Sequence, residues 1–176
     1  LLPGADRTVS SGEEQTPPKA AIVIAFGDGT VVSACVDLGT EPVTGLELLR
    51  RSGYRARIEE GAAGATVCQI EDVGCGEGES CWCACQTVGP DCAYWSYSVL
   101  EAGESWGYSE LGAAARIVQP GDVDGWAWGA GTAESGPTPP EMTFREVCSG
   151  ENVSPAPTSG VDPRGAAALG REGTAT

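Results

Sequence analysis

Eight cysteines and the lack of any histidine define the chemistry open to this chain. The cysteines are Cys35, Cys68, Cys75, Cys81, Cys83, Cys85, Cys92 and Cys148. Without an imidazole, Ser-His-Asp and Cys-His catalysis is excluded, and so is haem attachment through C-x-x-C-H. Zinc and iron–sulfur sites usually use C-x-x-C pairs, whereas Cys81, Cys83 and Cys85 are spaced by one intervening residue.

The even number and the density of the cysteines predict a disulfide framework, and therefore an oxidising compartment. Eight cysteines allow 105 pairings, so the connectivity stays open. Bridges within the run Cys81, Cys83, Cys85 would be strained, so we expect these three to find partners outside it. Cys148 is expected to close onto the main body of the chain, with Cys35 as a candidate partner. A metal–thiolate cluster and a thiol oxidoreductase using this run are the alternatives.

Carboxylates give no stronger indication of an active site. The pairs Glu59-Glu60 and Glu71-Asp72 could do acid–base chemistry, but nothing places them in a cleft, and solvated turns are the better interpretation. The segment 122–125 (DVDG) lacks the third acid and the distal Glu of a calcium loop. The sequence therefore predicts no enzyme, no metal site and no cofactor.

Charge narrows the range of partners. The formal net charge is −15, which repels nucleic acid and anionic lipid. No stretch approaches the length of a membrane-spanning helix, so no direct membrane insertion is expected. The chain starts at Leu1 without a basic-then-apolar leader, as a secreted protein does after its signal peptide is removed. We expect an extracellular or cell-surface location, with other copies of the chain or a small molecule as partners.

Composition divides the chain into a body and two arms. Residues 1–19 and 149–176 are rich in Pro, Gly, Ser, Thr and Ala and have no strong apolar period, so they are predicted to be extended arms. Residues 20–148 carry 19 acids against 6 bases and form the predicted domain, with a cysteine-rich insertion at 74–92. The chain has 26 glycines, 12 prolines and few large aliphatic residues, so cross-links are expected to offset a small core.

The body reads as one hairpin, one helix and several short strands. Two β-branched runs at 21–26 and 30–38 flank a Gly-Asp-Gly turn. Thr44 and Glu47 form a capping-box pattern that begins a helix of about ten residues, which Gly53 can end. Further strands are predicted at 65–70, 94–100, 106–108 and 125–129. This order indicates an α+β fold, in which a small mixed β-sheet packs on one helix.

A set of aromatic residues converges on three of these strands. Its members are Tyr94, Trp95, Tyr97, Trp106, Tyr108, Trp126 and Trp128. Side chains alternate along a strand, so Trp95, Tyr97 and Val99 should share one face, and Trp126 and Trp128 should share a face too. Two interpretations stay open: the rings fill a core that is poor in Leu and Phe, or they form a platform for a sugar, a flat ligand or another subunit.

The hairpin with its GDG turn, the helix TGLELL at 44–49, the strand YWSY at 94–97 and the ending GDVDGWAW at 121–128 resemble the transcobalamin C-terminal-like family. The resemblance covers about residues 20–129 and implies a β-grasp-like sheet over one helix. Members occur in cobalamin carriers and in bacterial cell-surface proteins. This chain differs from the carriers by its cysteine-rich insertion and by lacking the helical domain that completes their cobalamin site.

The sequence leads us to expect a non-enzymatic extracellular structural subunit. It would self-assemble through its arms into a filament or surface layer. The segment Thr8-Val9-Ser10 and residues 151–164 are the candidate strands for addition to a neighbour's sheet edge. The alternative is a surface-exposed binding module for a corrinoid or another small nutrient, as the resemblance implies.

Overall fold

A β-hairpin opens the part of the chain that the structure, a computed structural model, describes: residues 17–61, 64–85, 92–101, 105–109, 111–132 and 135–149. Strand β1 (Lys19–Ala25) pairs antiparallel with β2 (Val31–Asp37). In the turn, the Asp28 carboxylate accepts a hydrogen bond from the Thr30 amide at 2.8 Å, and Gly27 and Gly29 take φ values of 81° and 94°. The predicted hairpin is therefore confirmed, and its glycines supply the left-handed backbone that the turn requires.

The remaining elements are short. In chain order they are β3 (Val43–Thr44), α1 (Gly45–Arg51), β4 (Ala56–Gly61), β5 (Gly64–Ile70), β6 (Val73–Gly74), β7 (Cys92–Glu101), β8 (Ser105–Tyr108), β9 (Ile117–Val118), β10 (Val123–Gly131) and α2 (Phe144–Cys148). No helix of the described residues is long and apolar enough to cross a membrane.

Five strands form the main sheet in the order β2-β1-β10-β7-β8. The central pair, β1 and β10, is parallel, and the other neighbours are antiparallel. A hairpin thus flanks the central strand on each side, and α1 follows the first hairpin in sequence. This mixed sheet with its helix is the β-grasp-like α+β arrangement that the sequence predicts.

Helix α1 begins where the capping pattern places it. The Thr44 side chain accepts a hydrogen bond from the Glu47 amide at 3.2 Å, and Leu46, Leu48 and Leu49 are buried. The helix has seven residues rather than the predicted ten or so. The Ser52 amide closes the last turn onto the carbonyls of Leu48 and Leu49, and Gly53 follows with a φ of 90°, so the helix ends at the glycine that the sequence indicates.

Each face of the main sheet carries its own apolar cluster. The larger one lies on the α1 side and includes Ile22, Ile24, Trp95 and Trp126. The smaller one lies on the opposite side, where side chains of α2 pack against Val23 and its neighbours. Helix α2 was not expected from the sequence. It has only five residues, and a complete capping box between Thr143 and Glu146 begins it.

A second sheet, β4-β5-β6, packs beside the main one. Strand β4 was not predicted, because four of its six residues, Ala-Arg-Ile-Glu-Glu-Gly, are charged or glycine and no apolar alternation is visible. Pairing with β5 holds it in place, with a register shift between Arg57 and Ile58. The indole Nε1 of Trp95 donates to the carbonyl of Val73 at 3.2 Å and ties the two sheets together.

Candidate functional site: an aromatic recess and an open sheet edge

All eight cysteines lie in disulfides. The pairs are Cys35–Cys148, Cys68–Cys81, Cys75–Cys83 and Cys85–Cys92. The predicted use of the cysteines is confirmed, and so are the closure of Cys148 onto Cys35 and the choice of partners outside the run 81–85. This degree of cross-linking fits a protein of an oxidising, extracellular environment.

One acidic side chain lies beside a bridge. The carboxylate of Glu59 and the sulfurs of Cys68 and Cys81 all lie within 4.8 Å of one another, a spacing that could suit a metal ion. Because the two sulfurs are bonded to each other, neither is the thiolate that a metal would need. The group is therefore better described as a disulfide with a neighbouring surface carboxylate.

Trp82 stands between two of these bridges. Its neighbours Cys81 and Cys83 are bonded to Cys68 and Cys75, respectively, and its own amide donates to the Ser80 hydroxyl at 3.2 Å. The tryptophan is nevertheless 50% exposed. Two cross-links thus hold a large apolar ring in contact with solvent, and the conformational entropy of its backbone is already lost before any partner arrives.

Beside Trp82 the surface opens into a cavity of about 160 Å³, which we call the aromatic recess. Strands β5, β7, β8 and β10, the loop after β8 and the cysteine-rich loop all contribute to its lining. Six of the twelve lining residues are aromatic: Trp82, Tyr94, Trp95, Tyr97, Tyr108 and Trp126. The other six are Ala, Gly, Ser, Thr or Val residues, so the lining contributed by the described residues is uncharged although the protein carries a net charge of −15.

The seven aromatic residues singled out from the sequence do not form one cluster. Trp95, Tyr97 and Trp126 are buried in the core on the α1 side, where Val99 and Trp128 also pack, so the predicted faces of β7 and β10 are confirmed. Trp106 lies on the opposite face, near α2. Tyr94 and Tyr108 line the recess together with the three buried rings, and Tyr108 is 43% exposed.

Sequence reasoning missed Trp82, which was left out of the aromatic set. The ring centroids of Trp82 and Tyr94 are 6.2 Å apart, a tilted contact in the range of favourable aromatic pairs. The signal was present in the sequence, because a tryptophan flanked directly by two cysteines in a disulfide-rich chain has both neighbours fixed. It could have been found only by treating the cysteines as constraints on the residue between them.

A buried polar network supports the recess from below. Tyr97, which lines the recess, donates through its hydroxyl to Asp124, and Arg116 bonds the same carboxylate at 2.9 Å and Asp122 at 2.7 Å. Burial raises the pKa of Asp124 to about 6, while the neighbouring Arg116 and the Tyr97 hydroxyl pull it down. Burial and the facing carboxylate raise the pKa of Tyr97, so its hydroxyl stays protonated as the donor.

On the other face of the sheet, a proline-rich segment lies against aromatic rings. Pro139 is buried, and a Cβ built on Gly125 would meet its Cγ at 2.8 Å and the ring of Trp106 at a similar distance. Pro137 likewise approaches Gly129, where a Cβ would lie 3.1 Å from the proline Cγ. Glycines on this face of β10 therefore leave room for proline rings beside an indole.

The second candidate surface is the outer edge of β2. The Phe26 amide bonds the Thr30 carbonyl at one end of the hairpin, and the Leu38 amide bonds the Pro18 carbonyl at the other. Hydrogen-bonded and non-hydrogen-bonded pairs alternate between these ends. The residues of β2 whose amides and carbonyls point away from β1 are therefore Val31, Ser33, Cys35 and Asp37. No described strand pairs with this edge. The Tyr54 hydroxyl donates to the Ser33 carbonyl at 3.4 Å.

Comparison with known proteins adds little. No family model and no curated protein sequence matches the chain. A solved structure from Ruminococcus gnavus ATCC 29149, named a "putative metal binding protein", has 17% identity and a TM-score of 0.44, and the match covers 65% of this chain and 98% of that one. A likeness at this level carries no argument about function.

Proposed function

We propose that the protein is a non-enzymatic, extracellular structural subunit that assembles with copies of itself at the cell surface. Its contacts would be made by extended arms that leave the disulfide-linked body. The observation that carries this proposal is the outer edge of β2, with which no described strand pairs and which the Tyr54 hydroxyl contacts at the Ser33 carbonyl.

Edge strands in proteins that stay monomeric are usually protected by Lys, Pro, a bulge or a covering segment. Strand β2 reads Val-Val-Ser-Ala-Cys-Val-Asp, so its first charge comes at its last residue, and it pairs with β1 over seven residues without a register shift. A regular, uncharged edge of this length suits the addition of a strand from another chain.

The two ends of the described body favour the same mode of assembly. The Pro18 carbonyl bonds the Leu38 amide at the beginning of β1, and Cys148 is bonded to Cys35, which pairs in register with Ala21. Both arms therefore start near the same end of the β1–β2 hairpin. The candidate strands at 8–10 and 151–164 lie outside the described residues, and their role remains part of the proposal.

The test compares two substitutions at one outward-facing position. Ser33→Pro removes an amide that points away from β1, so the β1–β2 ladder is kept while the edge loses a donor. Ser33→Ala keeps the amide and is the matched control. Electron microscopy and light scattering of the full chain should show polymers for the wild type and for Ser33→Ala, and mainly monomers for Ser33→Pro.

Two deletion variants show which arm supplies the added strand: one lacks residues 1–16, and the other lacks residues 151–176. One deletion should abolish polymers while leaving the denaturation midpoint of the body unchanged. A wild-type chain that stays monomeric at every concentration, or a Ser33→Pro chain that polymerises as readily as Ser33→Ala, would overturn the proposal.

A second candidate function is capture of a small nutrient, and the recess is the observation that favours it. A cavity of ~150 Å³ holds about one benzene-sized molecule, so the recess suits a single small ring far better than a whole corrin macrocycle. Titration of cobalamin and of single-ring ligands against tryptophan fluorescence tests this candidate. Saturable quenching by any of them, lost in Trp82→Ala, would favour capture.

A further inference from the structure

We propose that the aromatic recess takes the proline-containing segment 153–160 of a second copy of this chain. The inference rests on the proposed function, because it supplies one contact of the assembly, and it names both sides of that contact. The recess would receive a proline ring, with Trp82 as the exposed wall against which the ring packs.

The lining of the recess selects for an uncharged partner. The described residues of its walls are aromatic rings and small uncharged side chains, and the two most exposed of these rings are Trp82 and Tyr108. Two copies that each carry a net charge of −15 repel one another, and an uncharged surface lets them make contact without bringing acidic side chains together. Aromatic-lined grooves are also the surfaces that recognise proline-rich segments in other proteins.

The segment 153–160 has the matching chemistry. It reads Val-Ser-Pro-Ala-Pro-Thr-Ser-Gly, and the uncharged run extends from Asn152 to Val161 between two acidic residues. Proline has a fixed φ, so a proline-bearing segment loses little conformational entropy when it docks. A single proline ring also suits a cavity of about 160 Å³.

The same sheet already carries a buried proline near a tryptophan. On the α2 face, Pro139 is buried, and its ring and that of Trp106 both lie beside Gly125. That segment, Gly136-Pro137-Thr138-Pro139-Pro140, is uncharged like residues 153–160. The fold therefore already places a buried proline of an uncharged segment and an indole ring around one glycine of β10.

The choice of a neighbouring copy follows from the proposed function. Cys148 is bonded to β2, and strands β1 and β10 lie between β2 and the recess at β7, which is three strand spacings of ~4.8 Å. Residues 149–155 span up to ~24 Å when fully extended, so the segment is long enough to reach a recess on its own body or on a neighbouring one. The oligomeric state in the experiment below decides between the two.

The experiment titrates a synthetic peptide of residues 151–162 into the full chain carrying Pro155→Ala and Pro157→Ala, whose own segment no longer competes. Isothermal titration should detect saturable binding. Trp82→Ala in the same chain should weaken it by about tenfold or more, as the loss of a central aromatic contact does. Ile117→Ala removes another exposed apolar side chain, 47% exposed and outside the recess lining, and should bind like the parent.

The peptide with both prolines replaced by alanine should not bind measurably. Equal affinity of the two peptides, or no effect of Trp82→Ala, would overturn the inference. Trp82→Ala is suited to the test because its ring is half exposed and the bridges on either side do not depend on it. Native gels with thiol titration check that all four disulfides are retained.

The failure of this inference differs from the failure of the proposed function. If the wild-type chain polymerises and Ser33→Pro does not, while the peptide never binds, the proposed self-assembly is supported and the proposed docking of residues 153–160 in the recess is overturned. If the peptide binds but the wild-type chain stays monomeric at every concentration, the segment fills its own recess, and both the second copy and the assembly are overturned.

Discussion

The hydroxyl of Tyr97 donates a hydrogen bond to the carboxylate of Asp124, with 2.6 Å between the two oxygens. Tyr97 is on β7 and Asp124 on β10, so the bond crosses neighbouring strands beneath the N-terminus of α1. Arg116 completes the group by bonding Asp124 from the loop before β9. A buried acid is thus held by one neutral and one cationic donor.

Replacing Tyr97 with Phe removes the neutral donor and leaves the ring in place. Because a hydrogen bond to a buried charged group is lost, the free energy of unfolding should fall by about 1–3 kcal/mol. The pKa of Asp124 should also rise further, since the lost bond favours the charged carboxylate. Denaturant titration and NMR titration of the Asp124 carboxyl measure the two effects, and an unchanged pKa would contradict the proposed coupling.

The pH dependence of stability provides a second prediction. Burial raises the pKa of Asp124 to about 6, above the ~4 of an unfolded aspartate. The folded state therefore binds the proton more tightly, and this carboxyl makes stability fall as pH rises from about 4 to about 6. The difference in free energy of unfolding between the wild type and Asp124→Asn should fall by up to about 3 kcal/mol between about pH 4 and about pH 6. An advantage that grows with pH would contradict the raised pKa.

Gly45 provides a third prediction, because it lies directly over this pair. A Cβ there would overlap the Tyr97 hydroxyl and approach Asp124 Oδ2 at 2.9 Å. In a helix, alanine is normally more stabilising than glycine by about 1 kcal/mol. In Gly45→Ala, overpacking should instead lower the free energy of unfolding by about 1–3 kcal/mol. Gly61→Ala is the matched control, since nothing lies within 4 Å of its Cβ position. Equal stability of the two variants in denaturant would refute the steric argument.

The disulfides should differ in what they contribute. Cys35–Cys148 joins residues 113 apart in sequence, whereas Cys85–Cys92 joins residues 7 apart. In the chain-entropy model, replacing both cysteines of the first bridge with alanine should lower the free energy of unfolding by about 5 kcal/mol. The same replacement in the second bridge should lower it by about 2 kcal/mol. Denaturation of the two double variants measures the difference, and the reverse order would show that loop entropy does not decide it.

The proposed assembly should depend on salt in a defined direction. Copies that each carry a net charge of −15 repel one another, and added salt screens that repulsion over about 10 Å at 0.1 M. Polymers should therefore form at lower protein concentration as NaCl rises from low to moderate levels. Light scattering at fixed pH follows this, with sucrose of equal osmolality as the control. Polymers that dissolve in salt would instead indicate ion pairs between copies.

Local physics made part of this fold predictable. The Gly27-Asp28-Gly29 turn and the Thr44 cap act within a few residues of themselves, and the structure places both as expected. The alternation along β7 predicted correctly that Trp95, Tyr97 and Val99 share a face. The bond of Cys148 to Cys35 is the pairing that the sequence offered as a candidate, and the other three pairings were left open.

The features that could not be predicted depend on contacts between residues far apart in sequence. Strand β4 has no apolar alternation of its own, and its conformation comes from β5. The recess could not be foreseen because it needs Trp82, β5 and β7 to meet, and the disulfides Cys68–Cys81 and Cys85–Cys92 join the cysteine-rich loop to these two strands. Nothing in the residues adjacent to Trp82 reveals which strand its neighbouring cysteines will reach.

The bond between Cys35 and Cys148 also has a mechanical consequence. A chain pulled by its two arms transmits tension from β1 into β2, across the sulfur bridge at residue 35, and directly out through residue 148. Residues 36–147 therefore lie outside the covalent path between the two arms, and α1 and the other three bridges are not part of that path. Even if the hydrogen bonds of the body broke under tension, this bridge would keep the chain between its two arms from extending through residues 36–147.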